Sequence, residues 1–216
     1  MGIADQGVTP GRTSLIQAVN QMLEAIGEQT VASLEGDQND EAAMAKRKLL
    51  EIHQAWQANG WAWNRSLRRF YRDAQSGEIV VPANIVQFSP DIFEYRRRYT
   101  LRGQRVFDTQ EGTFSLEITV IEAAIVESLS WDDAPQAYNY FATMKASSIF
   151  IGQVLGDGQN RMALQEAQLA WEQLRAAEAV EDQPNVLTDG YGLGPFRTFH
   201  PALGVSRRSS GGGLRV

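Results

Sequence analysis

The hydrophobic period of this sequence changes twice, and that constrains the fold more than any other feature. Before residue 60 apolar side chains recur three and four apart. Between Trp61 and Ser130 the chain is rich in β-branched and aromatic residues punctuated by turn signals, and beyond Ser130 the helical spacing returns. Helix, sheet and helix in that order predict an α+β protein. Helices from both parts of the chain would form a four-helix bundle, with an inserted antiparallel β region and an extended C-terminal tail.

The boundaries follow from local signals. Residues 1–12 hold three glycines and a proline and read as a flexible N-terminal arm. Residues 13–60 and 131–182 supply the helical bundle, 61–130 the β insertion, and 183–216 an extended basic tail. In the first helix Ser14 with Gln17 forms a capping box, Leu15, Ile16, Val19, Met22, Leu23 and Ile26 make one apolar face, and Gly27 ends it. A second helix spans about Asp40 to Ala58, with Ala42, Ala45, Leu49, Ile52 and Trp56 as its seam, and Asn59–Gly60 stops it. A third begins at Asp132 or Asp133 with Pro135 at or near its first position and runs to Gly156. A fourth spans about Asn160 to Glu181 with a narrow stripe of Ala163, Ala167, Ala170, Leu174 and Ala177, so the last two pair as an antiparallel hairpin.

Eight segments read as strands: 61–64, 67–72, 79–81, 85–88, 97–101, 105–107, 113–121 and 125–129. Ser76–Gly77 and Arg102–Gly103 read as hairpin turns. Pro82 and Pro90 lack a donor and mark strand ends or edges.

Composition narrows the chemistry. The chain has 216 residues, no cysteine and two histidines, His53 and His200. This excludes a disulfide framework and thiol chemistry, and no His-x-x-x-His pairing exists to hold zinc. His53 reads as structural, beside the second helical seam, and His200 as a tail residue. No metal site, cofactor site or catalytic set is expected. Gly190 to Gly194 lacks the preceding buried strand and following helix of a phosphate loop. Asp132 and Asp133 read as charges at a helix N-terminus. No run of about 18 apolar residues suits a membrane span, and the first residues lack the apolar stretch of a signal peptide.

The formal net charge is −6. Residues 183–216 carry four arginines against one aspartate, or +3, so residues 1–182 carry −9. That argues against a protein that coats phosphates. Of the 20 basic residues 17 are arginine, the side chain best suited to fixed pairing at interfaces. Two clusters stand out: Arg65, Arg68, Arg69 and Arg72, then Arg96, Arg97, Arg98, Arg102 and Arg105, interleaved with Phe70, Tyr71, Tyr95 and Tyr99. They read as strand edges that pair with acids, either Glu94 and Glu111 or those of another subunit, in preference to a nucleic-acid surface. In the tail Tyr191, Phe196, Phe199, Arg207 and Arg208 read as anchors of a strap that docks on a partner.

Several segments taken in order resemble one family. They are residues 15–28 (LIQAVNQMLEAIGE) with 31–34 (VASL), 56–64 (WQANGWAWN), 78–85 (EIVVPANI) and 102–108 (RGQRVFD), then Asp133–Ala134–Pro135 and Gly156–Asp157. Across residues 13–182 the chain resembles the tail tubular protein A family, the head-to-tail adaptors of short-tailed bacteriophages. The resemblance implies a structural virion protein, made in the host cytoplasm and placed in the tail at the portal vertex. It implies a ring of twelve copies between the portal protein and the tail nozzle, tail tubular protein B, with DNA passing through the lumen without sequence-specific binding. The alternatives are a cell-wall-degrading tail enzyme, which needs two placed carboxylates, and a monomeric nucleic-acid-binding module using the arginines.

Overall fold

The computed structural model describes residues 12–35, 39–156 and 158–181. The predicted N-terminal arm, save Arg12, and the basic tail with Tyr191, Phe196, Phe199, Arg207 and Arg208 lie outside the described residues.

The helices form where the apolar spacing places them. Helix α1, Leu15–Ala25, starts on the Ser14–Gln17 capping box, and its end folds back so that Gly27 N donates to Glu24 O and Glu28 N to Leu23 O. That is the paired-bond pattern of a Schellman stop. Helix α2, Asp40–Gln57, is capped by the Asn39 side chain, which accepts from Glu41 N and Ala42 N. At its end Gly60 has φ of +74°, a backbone shape side chains resist, and a Cβ there would stand 3.1 Å from Val126. A 3-10 turn, Ala62–Asn64, follows where the first strand was expected. The Trp61 indole donates to Trp56 O and Ala62 N donates to the Glu178 carboxylate, which ties the start of this segment to two helices.

The β region is two antiparallel sheets. Strands β1 (Arg65–Tyr71) and β2 (Ile85–Pro90) flank β5 (Val120–Glu127) in the order β1-β5-β2. Pro90 ends an edge strand, where its missing donor is harmless. Strands β3 (Tyr99–Arg102) and β4 (Arg105–Asp108) form a separate hairpin. Its two-residue loop is Gly103–Gln104, one residue later than expected, with Gly103 at φ +62°.

Four other expectations are corrected. Residues 93–98 form helix α3, Phe93–Arg98, so only Tyr99 onward of the expected 97–101 segment is strand. Side-chain bonds from within the segment and from Thr109 support the helical turn. The Arg96 side chain donates to Pro90 O and Asp91 O, and the Thr109 hydroxyl donates to the terminal carbonyls of Arg97 and Arg98. The segments expected at 113–121 and 125–129 give one strand, because Ala123 and Ala124 are held by β1 and β2 on both sides, a placement that overrides alanine's weak strand preference. Val80 makes only an isolated bridge to Arg105, so 79–81 is not a strand, although Ile79 and Val81 are buried. Helix α4 is Gln136–Leu155, so Pro135 is its N-cap and Asp132 and Asp133 precede it in a turn, where Asp133 accepts from the Ser130 hydroxyl.

Helix α4 lies at the centre of the helical layer and packs on α1, α2 and α5 (Arg161–Glu181). One apolar cluster joins Val19, Met22, Leu23, Leu49, Trp131 and Phe150. A second joins Trp61, Tyr138, Phe141, Ala170 and Leu174, with Trp56 and Trp171 against it. A third lies in the β region around Ile79, Val81, Tyr99, Val106, Leu116, Ile121 and Ile125.

Candidate functional site

Two groups of polar residues stand out: the arginines of the β region and a buried network at the end of α2. Strand alternation sets the first arginine cluster. Arg69 pairs with Glu122 directly across the β1–β5 ladder at 3.2 Å, and Arg68 reaches Glu127 at 2.8 Å. Arg72 donates to Leu116 O.

In the second cluster Arg98 is the anchor. It meets the Asp108 carboxylate at 2.7 Å, and Asp108 is 1% exposed. Burial pushes the Asp108 pKa up, but the bond from Arg98 and the backbone amides of Glu111 and Gln110 outweigh it and hold the group below its usual value. The same pairing raises Arg98. Arg105 pairs with Glu78 at 3.0 Å and stacks on Phe114. Arg102 stacks on Phe107 at 3.6 Å and Arg97 on Phe93 at 4.9 Å. Tyr95 and Tyr99 pack edge to face at 5.2 Å, and burial raises the Tyr99 pKa.

The expected pairing of arginines with acids therefore occurs, but with Glu78, Asp108, Glu122 and Glu127; no ion pair to Glu94 or Glu111 stands among the described salt bridges. Of the residues expected to face a partner, Tyr99 is buried and Arg98 is committed within the chain. Arg96, Arg97 and Arg102 are exposed on α3 and the hairpin. Beside them Ile92 and Phe93 are 48% and 59% exposed, an apolar pair the sequence reading overlooked although its spacing from the arginines was visible.

The second group joins the helical layer to the sheet. Gln57 is fully buried; its Nε2 donates to Leu129 O and its Oε1 accepts from Leu129 N. Asn64 donates to Gln57 O and Glu127 O. His53 Nδ1 lies 3.1 Å from Gln57 Nε2, and the His53 ring packs against Trp131 and Tyr138. Burial lowers the His53 pKa, and Asn139 offsets part of the shift. This buried, hemmed-in imidazole fits the structural role read from the sequence. Among the described residues no group of three or more His, Cys, Asp or Glu side chains is placed to hold a metal, and no helix is long and apolar enough to cross a membrane.

Residues 16–184 match the family model of the tail tubular protein. The chain belongs to the tail tubular protein family. The match spans both helical segments and the whole β region, and it takes in every element described above except Leu15, the first residue of α1. A comparison with curated proteins finds no match. As a tail tubular protein the chain is a structural component of the phage tail and its place is the virion tail.

Proposed function

We propose that this tail tubular protein is the head-to-tail adaptor, a subunit of a twelve-copy ring that joins the portal to the tail nozzle and forms part of the DNA channel. The observation that carries the reading is the family match over residues 16–184. The charge distribution supports it. Residues 1–182 carry −9, and a passage for a polyanion should not hold it, since each neutralised phosphate adds salt-dependent affinity. In this reading the helical bundle and the β insertion are separate working parts. Exposed Arg96, Arg97 and Arg102 contact a neighbouring subunit or the nozzle, and Tyr191, Phe196, Phe199, Arg207 and Arg208 anchor a tail strap on a partner.

The test is imaging of particles that carry a tagged copy of the chain. The expected result is twelve tags in a ring at the portal vertex; tags along the nozzle or at the fibres would overturn the assignment. Arg97→Glu with Arg102→Glu probes the contact more cleanly than Arg98→Glu, which would also strand the buried Asp108. Loss of tail attachment by a normally folded double variant is expected. Unimpaired attachment would remove the arginines from the interface.

A further inference from the structure

Helix α5 carries two apolar stripes, and the fold uses one of them. Ala167, Ala170 and Leu174 are buried, the last two within the second helical cluster. Met162, Leu169, Ala176 and Val180 follow one another seven, seven and four residues apart, which places them along another face of the same helix. That face is open: Met162 is 75% exposed, Leu169 58% and Val180 70%. Three large apolar side chains in line over about five turns are more than scattered surface residues. Glu166 and Glu172 border the line, and both are exposed.

A groove of complementary character lies on α2. It has a volume of about 410 Å³ and is lined by Leu34, Ala42, Ala43 and Leu50 with Ser33, Lys46 and Arg47. Leu50 is 38% exposed, and Lys46 donates to Leu34 O at the groove's edge. One surface is an apolar ridge bordered by acids, and the other is an apolar trough bordered by bases. Helix α5 meets α2 of its own chain elsewhere, at the C-terminal end of α2, where Trp171 packs on Trp56. The groove belongs to the N-terminal half of α2, so the two surfaces are separate patches of one molecule.

We propose that the open face of α5 docks in the α2 groove of a second copy of this chain. Unlike patches that complement each other make a head-to-tail contact, which leaves each copy one free ridge and one free groove and closes into a ring when the rotation allows. Glu166 and Glu172 then meet Lys46 and Arg47 across the seam, which orients the contact. This pairing rests on the ring reading above and names the surfaces that build the ring.

The absence of native cysteine makes the test clean. Full-length chains with Leu169→Cys alone are mixed with chains carrying Leu50→Cys alone and assembled into tails. A short bis-maleimide is then applied. Covalent pairs are expected in the mixture and in neither variant by itself. Pairs from Leu169→Cys chains alone would mean that α5 meets α5, and would overturn the proposal. Normal rings without covalent pairs would overturn it as well and leave the ring reading standing, whereas particles without any ring of this chain would sink that reading and the pairing together. Protection of the Leu169→Cys thiol in the free chain, relieved by removing residues 183–216, would assign the face to the chain's own tail instead. Met162→Glu with Leu169→Glu changes only exposed positions; a soluble, folded chain that no longer forms rings is expected.

Discussion

The helical layer and the β region are held together differently. In the helices the stabilising contacts are apolar and regular: Phe141 lies against Trp56, Tyr138 and Trp171, and the polar groups at helix starts are met by neighbours such as Ser14, Gln17 and Asn39. In the β region a buried apolar cluster around Ile79, Val106, Ile121 and Ile125 is supplemented by arginines that bridge strands to acids or lie on aromatic rings. Apolar burial resists salt and pH, whereas exposed ion pairs are weakened by both. The sheet should therefore be the more condition-sensitive part, and the buried joint around Gln57 should decide whether the two parts unfold together.

The largest effect is expected in the helical core. Phe141→Ala removes a 2% exposed ring from an aromatic cluster and should cost about 3–5 kcal/mol in denaturant unfolding. A loss below about 1 kcal/mol would show that the cluster repacks freely. Gln57→Ala comes next. It leaves Leu129 N and O without their partner at the joint, a cost of about 1–3 kcal/mol for each group that water does not reach. It should also separate the transitions of helix and sheet, read by far-ultraviolet ellipticity for the helices and by amide exchange along β5 for the sheet; loss of both at one denaturant concentration would show that the apolar contacts alone couple the two parts.

A smaller effect concerns pH. The folded pKa of His53 lies below its unfolded value of 6.5. Its neutral form is favoured by folding, so the contribution is fully present above pH 6.5 and is lost as pH falls below it. Stability should decline from there toward acid, and His53→Gln should flatten that decline. An unchanged slope in the variant would assign it to other groups. The smallest effect is Arg68→Ala, within about 0.5 kcal/mol, since Arg68 is half-exposed and its bridge to Glu127 is screened. Arg98→Ala should lower the midpoint more than Arg68→Ala, because it strands a carboxylate that water scarcely reaches. Equal shifts would mean that burial of Asp108 adds nothing to its pairing.

The helices were legible because their signals are local. A capping box, an apolar face and a stop such as Gly27 or Gly60 act within a few residues, so α1, α2 and α5 stand within a residue or two of their expected limits. The α+β class followed from the same periodicity. The strands were legible neither in number nor in extent: eight segments read as strands and five form, because pairing partners lie far apart in sequence. Thr113 to Thr119 looks like a strand and is not one, since Leu116 N donates to Gly77 O and β5 takes up pairing only at Val120. Arg97 and Arg98 read as the start of a strand and end a helix instead; the Arg96 side chain donates to the nearby Pro90 O and Asp91 O, and the Thr109 hydroxyl donates to the carbonyls of Arg97 and Arg98.

The same division holds for the surfaces. The sequence by itself determined that arginines and aromatics would interleave, that the chain would be acidic, and that no thiol would be present, because these are properties of residue order and count. Only the tertiary structure decided which arginines are consumed within the chain. Arg98 is bound because the β3–β4 hairpin brings Asp108 beneath it, while Arg97 and Arg102 keep to aromatic faces. The open stripe on α5 is likewise a tertiary outcome: two apolar stripes were written into one helix, and α4 can cover only one of them because a helix presents a single face to one neighbour.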